Sequence, residues 1–76
     1  MALPGTNQEQ INSILTLFTD GGFQKALDLI EKLLLDFPNE AILFNIQGAC
    51  HAELGALDIA IKSYEHAISI NPGYAT

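Results

Sequence analysis

Residues 41–72 read AILFNIQGACHAELGALDIAIKSYEHAISINP. Gly55 divides this stretch and Pro72 closes it. Between them Leu57, Ala60, Ile61, Tyr64, Ala67 and Ile68 recur every three or four residues, the period of one helix face. Ahead of Gly55, Ile42, Leu43, Phe44, Ile46, Ala49, Cys50, Ala52 and Leu54 supply a second apolar helix, from about Glu40 to Leu54. Asn39 is placed to cap its first turn, because a short polar side chain can accept from the free amides there. Glycine breaks a helix and proline cannot continue one, so the stretch predicts a helix, a tight turn and a second helix.

The same organisation stands one step upstream. Phe23, Ala26, Leu27, Ile30, Leu33, Leu34 and Phe37 form a stripe that follows Gly21 and Gly22 and stops before Pro38. Before it, Ile11, Ile14, Leu15, Leu17 and Phe18 predict a helix from about Asn7 to Thr19, with Thr6 and Glu9 in the spacing of a capping box. The offset from Gly21 to Gly55 recurs between Ala26 and Ala60, between Glu31 and Glu65, and between Pro38 and Pro72. The apolar pairs Phe23/Leu57, Leu27/Ile61, Ile30/Tyr64 and Leu34/Ile68 keep that offset. The second helices and the punctuation carry the repeat; the first helices share no identity with each other. No strand pattern competes, and short loops force neighbouring helices antiparallel.

Composition narrows the function classes. Seventy-six residues make one small domain, and 49% of them are hydrophobic. Nine acids face three bases, all lysine (Lys25, Lys32 and Lys62), for a net charge of −6. Nucleic acids and anionic membranes are bound by lysine and arginine, which argues against both as partners. A basic or apolar protein surface suits this charge better. No apolar run reaches the ~20 residues of a membrane span, and the opening MALPGT lacks the features of a signal peptide. The location expected on that ground is cytoplasmic. One cysteine, Cys50, rules out an internal disulfide.

The second unit resembles the tetratricopeptide repeat, whose helix–turn–helix units recur at about 34 residues. Phe44 stands where the family has a large aromatic, and Gly48 where a small residue lets two helices approach. Leu54-Gly55 closes the first helix, Ala60 and Ala67 are small contacts of the second, Tyr64 lies between them, and Asn71-Pro72 ends the unit. Gln47 and His51 depart from the usual leucine and tyrosine, and Ile14 fills the place of Gly48 in the first unit, implying wider helix spacing there. The resemblance implies an all-α fold of two antiparallel helical hairpins in a right-handed superhelix. Its units are residues 7–38 and 41–72, after a leader at 1–6 and before the start of a truncated third unit at 73–76.

The family binds ligands on the concave surface formed by first helices. By position this surface holds Gln8, Ile11, Leu15, Phe18 and Thr19, then Ile42, Asn45, Ala49, Ala52 and Glu53. Ile11, Leu15 and Phe18 also suit a core. A carboxylate clamp for peptide C-termini, known in some relatives, does not fit: only Asn45 matches in kind, and no lysine falls on a first helix. An apolar or basic segment is the ligand expected. No cofactor or metal is expected, since adjacent Cys50 and His51 diverge on a helix and His66 lies on another, facing solvent. For the same reason no Cys–His catalytic pair forms, and the function expected is a non-enzymatic protein–protein interaction scaffold.

Two rivals accompany it. Arrays of this family often precede transferase domains, which makes a positioning segment of a larger enzyme one rival. The other is self-association as a homodimer through Ile61, Tyr64 and Ile68, on the edge where a next unit would pack, with Ile59 and Ile70 beside them.

Overall fold

The computed structural model describes residues 8–72. Among these, four helices and no strands occur: α1 (Gln8–Thr19), α2 (Phe23–Asp36), α3 (Ala41–Glu53) and α4 (Leu57–Ile70). Each helix packs on the next in chain order, giving two hairpins stacked through α2 and α3. The expected start of α1 at Asn7, the Thr6 capping box, the leader at 1–6 and the third-unit start at 73–76 lie outside the described residues.

The two turns inside the hairpins are the same structure, one repeat period apart. Gly21 and Gly55 both have φ of 84°, a left-handed conformation that a side chain disfavours. The Gly21 N–H donates to the Phe18 carbonyl at 3.1 Å and the Gly22 N–H to Leu17 at 2.8 Å. The Gly55 N–H donates to Ala52 at 3.1 Å and the Ala56 N–H to His51 at 2.8 Å. This paired bonding is the Schellman arrangement, which satisfies carbonyls left open at a helix end. The second helices also end alike: the Phe37 amide caps Leu33 and the Asn71 amide caps Ala67, each one residue before a proline.

The α3 start differs from the sequence expectation. Glu40, not Asn39, occupies the cap position in extended backbone, and no side chain caps the helix. The Leu43 amide bonds instead to the Glu40 carbonyl at 3.1 Å.

The core is built by α1, α2 and α3. Ile11, Ile14, Ala26, Leu27, Ile30, Leu33, Leu43, Ile46 and Cys50 form one buried cluster. Helix α4 joins the fold through small residues, burying Ala60, Ser63 and Ala67. Three large members of its sequence stripe, Leu57, Ile61 and Ile68, are exposed, and Ile61 and Ile68 are among the residues expected at an open edge. The Ser63 hydroxyl donates to the Gln47 Oε1 of α3 at 3.3 Å, so the one buried polar side chain in the seam has a partner. Small residues on α4 and Gly48 on α3 let their backbones approach closely, and α3 and α4 share more close contact than α1 and α2 do.

Candidate functional site

The expected concave surface divides into an exposed part and a structural part. On α1, Gln8, Leu15 and Thr19 fall within about 40° of one another at 100° per residue, and all three are exposed. Leu15 keeps 43% of its surface open. Ile11 is 6% exposed and belongs to the core cluster, the alternative role the sequence left open for it. Phe18 is half-buried and packs edge-on against Phe23 of α2, with ring centroids 5.2 Å apart. The cause is the helix period: Ile11 and Phe18 lie on the flank of α1 that turns toward Ile14, which is fully buried.

On α3, Ile42, Asn45, Ala49 and Ala52 are half-buried and Glu53 is exposed. Ile42 also packs against the core cluster. Asn45 thus presents an amide beside the methyls of Ala49 and Ala52, which lie a turn or two further along α3. Such a surface offers shape, apolar contact and one orienting hydrogen-bonding group. Its charge is acidic at one end, through Glu53.

The sequence does not disclose the contact between Phe44 and His66. Their rings stack at 4.0 Å with 18° between planes, linking α3 to α4. His66 is exposed, as expected, but is held against Phe44. A helix wheel places each residue on its own helix; it cannot say that these two meet.

Among the described residues no group of three or more His, Cys, Asp or Glu converges as metal ligands. Cys50 is fully buried and free, and burial pushes its thiol above the ordinary value of 9.0. Its thiolate is disfavoured, which makes it a packing residue in this fold. Shallow depressions open at Gly55–Ile59, at the α2 surface around Asp28 and Leu35, and between Leu54 and the Gly21–Phe23 turn. No helix among the described residues is long and apolar enough to cross a membrane.

The residues expected at the open edge of α4 are accessible. Ile61 is 55% and Ile68 41% exposed, and Tyr64 is half-buried against α3. Ile59 is also exposed, but at 100° per residue it lies about 160° around the helix from Ile61 and does not extend that patch.

Comparison with models of protein families, with curated proteins and with solved structures yields no match to this chain.

Proposed function

We propose that the chain is a tetratricopeptide-type repeat module that binds a protein segment along α1 and α3 and carries out no catalysis. The observation that supports this reading best is the recurrence of one turn geometry after one repeat period, with φ of 84° at both Gly21 and Gly55 and the same pair of amide–carbonyl bonds around each. Sequence periodicity and backbone conformation thus repeat together. In this reading the hairpins belong to a right-handed superhelix, and first helices line its inner surface.

The ligand class follows from chemistry. Leu15, Ile42, Ala49 and Ala52 offer apolar contact, Asn45 offers an amide, and the net charge of −6 repels acidic peptides. An amphipathic or extended segment that is apolar or basic meets these conditions. Fluorescence anisotropy with peptide libraries tests it: apolar–basic peptides bind, and acidic counterparts of equal hydropathy do not. Leu15→Asp and Asn45→Ala lower affinity without unfolding the domain, because neither side chain is in the buried cluster. Tight binding of acidic peptides, or binding indifferent to both substitutions, refutes the groove.

A further inference from the structure

Helix α4 is attached to the fold differently from the other three. The buried cluster and the half-buried side chains packed against it all lie between Ile11 and Cys50, on α1, α2, α3 and the residue that follows α2. Helix α4 buries Ala60, Ser63 and Ala67 instead. Its large aliphatic residues Leu57, Ile59, Ile61 and Ile68 stand exposed.

Three contacts dock α4 on α3. The Tyr64 ring and the Ala60 carbonyl close on Gly48, the Ser63 hydroxyl donates to Gln47 at 3.3 Å, and the His66 ring stacks on Phe44. Closeness and stabilisation part company here. Small side chains bring the two backbones together, but apolar stabilisation follows the area withdrawn from water. An alanine withdraws far less than the isoleucines and leucines of the cluster. A neutral hydrogen bond is worth little net, and a ring stack with an exposed partner adds little more. The exposed aliphatic residues of α4 are already largely in water, so they hold it back weakly.

We propose that α4 opens as a unit, hinged at the Leu54–Ala56 turn, while α1, α2 and α3 keep their core. Leu43, Ile46 and Cys50 stay covered, because the cluster holds them with residues of α1 and α2. What the opening bares is the other side of α3, around Phe44, Gln47 and Gly48. Helix α1 lacks the same freedom: Ile11 and Ile14 are anchored in the cluster, and its departure dismantles the core. Gly55, already at φ of 84°, supplies a hinge with wide backbone freedom. Such an opening lies below global unfolding in free energy and makes α4 a conformational device on a fixed three-helix base. The α1 and α3 face read as the binding surface belongs to that base, so the opening does not depend on that reading.

Native-state hydrogen exchange by NMR on the whole chain tests this. The amides of α4 from Ile61 to Ala67 exchange with one common free energy, at protection at least about tenfold below the slowest amides of α2. Ile14→Val weakens the core and speeds those slowest amides about fivefold. It leaves α4 exchange unchanged, because Ile14 stays packed when α4 opens. Gly48→Ala crowds the closed state and speeds α4 exchange. It speeds core exchange less, since alanine still favours helix α3 once α4 is away. Protection in α4 equal to that of α2, or α4 exchange that rises with Ile14→Val as much as the core's does, means that α4 leaves only on global unfolding and overturns the proposal. Protection that falls off only toward Ile70 is end fraying and overturns it too. So does α4 exchange indifferent to Gly48→Ala.

Discussion

Gly48 of α3 and Tyr64 of α4 touch so closely that no side chain fits between them. A Cβ built on Gly48 would stand 2.9 Å from Tyr64 Cε1, 3.0 Å from its Cδ1 and 3.1 Å from the Ala60 carbonyl oxygen. The first two distances are to an aromatic ring partly buried in the helix interface, and the third is to backbone. None of these groups can move away without disturbing the α3–α4 packing.

Gly48→Leu therefore destabilises the fold by about 1–3 kcal/mol through overpacking, although leucine is the better helix former by nearly 1 kcal/mol. Gly48→Ala moves stability the same way by a smaller amount. In a Tyr64→Ala background the cost of Gly48→Ala shrinks, since the ring is gone. Urea midpoints of the four-member cycle check this. An unchanged or raised midpoint for Gly48→Leu contradicts the packing described.

Ile14 answers to the opposite physics. It is the counterpart of Gly48 in the first unit and is completely buried. Ile14→Ala leaves a cavity and costs about 2–5 kcal/mol. A domain of this size has only some ~4–11 kcal/mol in total, so the variant is substantially unfolded at moderate urea. Chemical denaturation followed by circular dichroism measures the loss, and a loss under about 1 kcal/mol would show that the site collapses freely.

The Phe44–His66 stack contributes to α3–α4 registry. His66→Ala costs about 0.5 kcal/mol, toward the low end for an aromatic pair because His66 is exposed. Phe44→Leu costs more, as Phe44 also buries part of its side chain. The coupling in a double-mutant cycle isolates the ring contact. Strictly additive effects would mean that the stack adds nothing beyond burial.

Cys50 gives the fold a dependence on alkaline pH. Burial raises its thiol in the folded state above the 9.0 of the free group. Above pH 9 the unfolded chain loses this proton first, so the unfolded state gains and stability falls as pH rises through that value toward the folded-state pKa. Below it both states are protonated and the effect is absent. Comparing urea midpoints at pH 8 and pH 10, in reductant, the wild type loses more than Cys50→Ala does. Equal losses would assign the alkaline sensitivity to other groups. Thiol reagents at pH 8 react with Cys50 only as fast as the domain opens.

Helix identity and repeat length are legible in the sequence because they depend on local chemistry. A period near 3.6 marks each helix. Glycine at 21 and 55 meets a backbone need for positive φ, and proline at 38 and 72 cannot extend a helix. These requirements are met within a few residues, so they appear in the chain as written. The cap of α3 escapes that reading because Asn39 and Glu40 are adjacent and the helix begins one residue later than propensity suggests. Which apolar residues are buried is a different kind of question. Leu27 and Ile61 occupy the same position in their units, yet one is 4% and the other 55% exposed. Their helices carry the same pattern; the difference is that α3 lies on that face of α2, while no described element lies on the corresponding face of α4. Likewise Ile11 enters the core and Leu15, one turn on, does not. Periodicity fixes which side chains share a face, and the neighbour that covers the face is fixed only when the helices pack. The meeting of Gly48 with Tyr64, and of Phe44 with His66, arises at that stage, from close approach between residues that lie on different helices and far apart in the chain.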